Sequence, residues 1–141
     1  MKNIFIVFVI LTSFYSASAQ VIFSGNQTVN SQILANGAII KSGSIVVFNG
    51  TFTITQGGRI FIEQNAFLSI ENATLQGANW QGIIMQSLTI SNMYTCGSTG
   101  VSVKNSTIKD ALIGIINVDL SQPKQDLDYA GGMVHIENSI F

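Results

Sequence analysis

Apolar residues recur at every second position in short bursts through the middle of the chain: Ile45 and Val47, Phe52 and Ile54, Ile60 and Ile62, Leu68 and Ile70, then Leu75. Bursts of that length, broken at Asn49-Gly50, at Gly57-Gly58 and at Asn65, predict short β-strands joined by tight turns. An amphipathic helix needs apolar spacings of three and four, and no window here sustains them. Taken alone, residues 46–54 read as a hairpin about Asn49-Gly50. A hairpin accounts for one turn, however, and leaves the longer order of the chain unexplained.

That longer order is a repeat. Leu68 to Leu75 reads LSIENATL and returns as VSVKNSTI at Val101 to Ile108 and as VHIENSIF at Val134 to Phe141, thirty-three residues on each time. Leu68, Val101 and Val134 share one register, Ile70, Val103 and Ile136 the next inward one, and Asn72, Asn105 and Asn138 a third. Gly82-Ile83-Ile84 and Gly114-Ile115-Ile116 lie thirty-two apart, so each repeat holds a second strand on nearly the same beat. A fixed period of this size marks a repeat architecture. Helical repeats of ankyrin type share the period, but residues 102–107, SVKNST, are β-branched and turn-forming and make poor helix.

A single repeat cannot bury enough apolar surface to offset the entropy of ordering its backbone. Stacking, with each strand hydrogen-bonded to its equivalent in the next unit, supplies the missing ladder and a continuous dry core. Asn72, Asn105 and Asn138 each follow a strand and precede a small residue, Ala73, Ser106 or Ser139. There the chain must turn sharply, and Asn tolerates the left-handed conformation. Stacked about 4.8 Å apart, their amides are expected to bond in a ladder. Asn49 before Gly50 reads as an earlier corner in a shorter unit. Outward, Glu71, Lys104 and Glu137 form a column of alternating sign, with Ser69, Ser102 and His135 beside it. His135 is thus a solvent-facing strand residue rather than a base or ligand.

Ahead of the repeats, Lys2, the apolar run Ile4 to Leu11 and the small residues Ala17, Ser18 and Ala19 predict a secretory signal peptide over residues 1–19, cut before Gln20. The run is well short of the about 20 residues a spanning helix needs. No membrane span is expected once the leader is removed, and residues 20–141 form one domain. With 47% hydrophobic and 9% charged residues, disorder is disfavoured. A net charge of -1 excludes an electrostatic nucleic-acid partner. Cys96 is the single cysteine, so no intrachain disulfide forms; with no His beside it in sequence, it reads as an inert thiol.

Glycosidic cleavage needs two carboxylates at a defined separation, and the chain has only seven acidic residues. Asp126-Leu127-Asp128 is the one place where two lie close, with Asp119 and Lys124 in the same loop of 119–132. Extended, the two aspartates share a face suited to calcium, but a solvated loop tip is the plainer reading. No catalytic, cofactor-binding or metal residue is assigned, and no cofactor is expected. Sequons occur at Asn26, Asn49, Asn72 and Asn105, the last three already accounted for as corners. Phe61, Phe67 and Tyr94, with Trp80, read as outward aromatics that either offer stacking area to a sugar or shield the coil and pack on a loop.

Four stretches, GGRIFIEQNAFLSIENATLQ from Gly57, NWQGI from Asn79, NSTI from Asn105 and GGMVHIENSIF from Gly131, carry a likeness to a known group. From about Ile33 onward the chain resembles the right-handed parallel β-helix proteins of the pectin-lyase-like fold, and more narrowly the opening coils of large secreted bacterial surface proteins. The resemblance implies an all-β, single-stranded right-handed parallel β-helix; because the third statement of the repeat stops at Phe141 without a polar capping segment, the solenoid is expected to be incomplete at its C-terminal end and continued by downstream coils of a longer chain. It implies a secreted or cell-surface scaffold of adhesin type, in contact with polysaccharide or other surface components and without a catalytic site of its own. The alternative is the opening of a polysaccharide lyase or glycoside hydrolase whose site lies beyond residue 141. The Gly-His-Gly and Arg-Ile-Lys patterns of polygalacturonase-like enzymes do not occur.

Overall fold

The computed structural model describes residues 19–86, 99–118 and 132–141. The predicted leader, apart from Ala19, lies outside them. In chain order the strands are β1 (Val21–Phe23), β2 (Gln27–Leu34), β3 (Gly37–Ile40), β4 (Ile45–Ile54), β5 (Arg59–Ile62), β6 (Phe67–Gln76), β7 (Gly82–Gln86), β8 (Gly100–Lys104), β9 (Thr107–Ile108), β10 (Ile115–Val118) and β11 (Met133–Glu137). They form two sheets, β1-β3-β5-β7-β10 and β11-β8-β6-β4-β2, with β9 also paired to β6. Every pairing among the described residues is parallel, and these residues hold no helix. For most of its length the chain passes from one sheet to the other and back, so neighbours within a sheet are not consecutive in sequence. The hairpin about Asn49-Gly50 does not form, because 45–54 is one strand with parallel partners on both sides.

The repeat survives in the register. Ile70 lies beside Val103 and Val103 beside Ile136, and Ile83 and Ile84 pair with Ile115 and Ile116. Earlier steps are shorter: Phe48 pairs with Ile70 and Val29 with Phe48, 22 and 19 residues apart. The longer late steps take up their extra residues between β7 and β8 and between β10 and β11, in 87–98 and 119–131, which lie outside the described residues.

Between the sheets sits a continuous apolar core. Phe48 stacks on Phe52 with centroids 4.3 Å apart and meets Phe23 edge-on at 5.5 Å. Leu34, Ile40, Ile54, Ile60, Ile62, Leu68, Ile70 and Leu75 extend the core and are fully shielded, each worth about 1.5–3 kcal/mol of burial. In β4 the inward residues are Val46 and Phe48, while Ile45 is exposed and Val47 half-buried. This corrects the phase expected from alternation. Ile45 to Phe48 is an unbroken apolar run, so alternation cannot choose its phase, and the pairing of Phe48 with Ile70 does. Trp80 is likewise a core residue rather than a surface aromatic, and its Nε1 donates to the Lys109 carbonyl at 2.9 Å. The indole N–H thus finds the partner a buried donor needs.

Close stacking also limits what the turns accept. Gly37 has φ +89, and a Cβ built there would lie 1.8 Å from the Arg59 carbonyl oxygen, so only glycine fits.

Candidate functional site

Among the described residues the corner of the larger sheet is a regularly repeated polar structure. Asn72, Asn105 and Asn138 take φ of 51, 49 and 48, the left-handed conformation expected of them. One layer earlier Gly50 takes that role at φ 92, while Asn49 pairs with Glu71 and precedes the bulge. The corner of the shorter unit is therefore the glycine rather than Asn49. An amide bond joins Asn138 Nδ2 to Asn105 Oδ1 at 3.4 Å, the one rung of the expected ladder found among the described residues.

Most of the corner bonding falls to the next residue. Ser106 Oγ accepts the Ala73 N–H at 3.0 Å and lies 2.6 Å from the Lys104 carbonyl, to which it donates. Ser139 repeats this one layer on, accepting the Ser106 N–H at 3.2 Å and donating to the Glu137 carbonyl at 2.8 Å. Other corners use the same device: Ser44 Oγ accepts from Gly25, Thr55 Oγ1 from Asn36, Ser31 Oγ from Thr51 and Thr99 Oγ1 from Asn65. Where the strand ladder stops, a side-chain oxygen of an adjacent layer receives the orphan N–H. In the sequence Ser106 and Ser139 stood out only as small residues; their shared register and hydroxyls were the signal for this role.

Beside that corner the outer face of the larger sheet carries a polar column. Registers place Asn30, Asn49, Glu71, Lys104 and Glu137 side by side on five strands, a line of about 19 Å at ordinary strand spacing. All but the half-buried Glu71 are exposed. Lys104 Nζ lies 3.7 Å from Glu137 Oε2, whereas Glu71 accepts from Ser69 Oγ at 2.7 Å instead. His135 is solvent-facing, 3.5 Å from Glu137. Its column mates Ser69 and Ser102, expected outward with it, are buried. Past the corner, Thr51, Thr74 and Thr107 align in a second polar column.

On the smaller sheet Arg59 lies over the Phe61 ring, 5.8 Å from its centroid, and Lys41 pairs with Glu63 at 2.5 Å. That contact, with the Ser42 N–H bond, holds the Glu63 carboxyl below its ordinary range despite some desolvation. Phe61 and Phe67 are half-buried, and the Phe67 ring closes over Gly100. A half-open cavity of about 300 Å³, lined by Ile108, Lys109, Asp110, Ala111, Gly114 and Phe141, brings one carboxylate beside one ammonium and no second acid. Among the described residues no three His, Cys, Asp or Glu converge to hold a metal, and no helix is long and apolar enough to cross a membrane. Tyr94, Cys96, Asp119, Lys124, Asp126 and Asp128 lie outside the described residues.

A comparison with family models, curated proteins and solved structures finds no match to this chain.

Proposed function

We propose that residues 20–141 wind as a right-handed parallel β-helix and serve as an exported scaffold of adhesin type, with the polar column of the larger sheet as the face that meets polysaccharide. The winding is supported by the alternation of successive strands between two parallel sheets. A parallel pair joined through an excursion off its sheet is right-handed in about 98% of cases. The observation that carries the function is the line of Asn30, Asn49, Glu71, Lys104 and Glu137. Amides and charges repeated at strand spacing suit the repeated hydroxyls and carboxylates of a polymer laid across the strands. The scaffold reading also accords with the described acids: Glu63 and Glu137 each pair with a lysine of a neighbouring strand or turn, Glu71 accepts from Ser69 on its own strand, and Asp110 stands beside Lys109.

The test is affinity electrophoresis of the exported chain through gels cast with neutral and acidic polysaccharides. Retardation by at least one polymer, reduced in the Asn49→Ala/Lys104→Ala double variant, is the expected result. Migration unchanged in every polymer overturns the contact face. Release of reducing ends or unsaturated sugars overturns the scaffold reading in favour of an enzyme. N-terminal sequencing of the exported protein is expected to begin at Gln20.

A further inference from the structure

The smaller sheet turns a different chemistry outward. Its registers set Ile22, Ile39, Phe61, Ile84 and Ile116 in one column, one from each strand. These are not core residues: alternate positions such as Ile40, Ile60 and Ile83 face inward and are fully shielded. Ile22 is 63% exposed, and the other four are half-buried, so an apolar ribbon runs across the whole sheet. A contiguous ribbon of this kind marks a contact surface, whereas scattered surface isoleucines would not.

Phe61 is the ribbon's middle member, with two isoleucines on either side. Along β5 and one residue past it the outward residues read Arg59, Phe61, Glu63, so a cation stands before the ring and after it a carboxylate that already meets Lys41. We propose that a second copy of this chain docks face to face on this sheet, its strands antiparallel to these, about a two-fold axis that runs along the ribbon and across the strands. That axis reverses the strand direction but keeps the strand order, so each ribbon side chain meets its own counterpart, Phe61 on Phe61, Ile39 on Ile39 and Ile84 on Ile84 of the second copy. It also sets each Arg59 opposite the Glu63 of the other, as a self-complementary two-fold contact requires. Sheets packed this way lie about 10 Å apart, the depth two such side chains fill. A sugar polymer fits poorly here, since four of the five side chains are aliphatic and offer it no hydrogen bond. With a contact only one side chain wide, the interface falls at the small end, below about 1,200 Å² in total, so the dimer is reversible.

Sedimentation equilibrium of the intact chain, from low micromolar to near millimolar concentration, tests this. A monomer–dimer equilibrium is expected, weakened about tenfold or more by Phe61→Glu. Arg59→Glu and Glu63→Arg are each expected to weaken it, and the double exchange Arg59→Glu/Glu63→Arg to restore it, with circular dichroism confirming that every variant is folded. A monomer at all concentrations overturns the proposal. So does a dimer indifferent to Phe61→Glu, or a double exchange no better than the single ones.

Discussion

At the corner of the larger sheet two adjacent residues do different jobs. Asn105 holds a backbone shape, φ 49, that a β-branched residue resists, and for that reason the left-handed turn was legible from Asn followed by a small residue. Asn105→Val is expected to destabilise by about 1–2 kcal/mol. Asn26→Val is expected to cost less, since Asn26 offers only an exposed 3.3 Å bond to the Ile45 N–H. Equal shifts in chemical denaturation would show that the corner does not need its conformation. Ser106 instead holds a hydrogen bond. Ser106→Ala leaves the buried Ala73 N–H without its acceptor and is expected to cost about 1–3 kcal/mol, with Ala73 amide exchange accelerated accordingly. An unchanged exchange rate at Ala73 would mean that another acceptor takes over. The hydroxyl's role was not legible, because it depends on which N–H the stacking leaves orphaned, and that is settled only across layers.

At the scale of the strand, legibility depended on punctuation. In Phe52 to Ile54 and Leu68 to Ile70 a single polar residue, Thr53 or Ser69, separates two apolar ones, and the inward set in the structure is the alternating one. In Ile45 to Phe48 nothing interrupts the apolar run, and the phase was set by neighbouring strands. A one-residue slip exchanges the two faces of a strand, so the consequence is measurable. Val46→Ala is expected to lower stability by about 2 kcal/mol, from lost burial plus a residual cavity, while Ile45→Ala, at a side chain 51% exposed, is expected to cost only about 1 kcal/mol. The opposite ranking would restore the phase that alternation alone suggested. Trp80 escaped for a related reason: it stands between strands, where no periodicity marks it, and its burial follows from the Lys109 carbonyl and the Ala111 bridge on the next layer.

For the whole molecule, the thirty-three-residue return made the later layers readable, while the earlier ones, with steps of 22 and 19 residues, carry no constant period for a sequence comparison to catch. What both share, among the described residues, is the pairing of each strand with the strands directly before and after it in its own sheet. Stability in such an arrangement is close to a sum of layer terms and nearest-neighbour terms, so a substitution is felt according to how many neighbours its layer has. Ile70 and Ile136 test this well because they occupy the same column and carry the same side chain. Ile70 lies between Phe48 and Val103 and is fully shielded, whereas Ile136 has Val103 on one side and is 50% exposed. Ile70→Ala is expected to cost about 2–5 kcal/mol. Ile136→Ala is expected to cost about 1 kcal/mol, since roughly half of its burial is there to lose. The two in combination should add within about 0.5 kcal/mol, because the layer of Val103 separates them. Urea denaturation of the four chains supplies the comparison, and equal single costs, or a strongly non-additive pair, would mean that the layers do not act as near neighbours only.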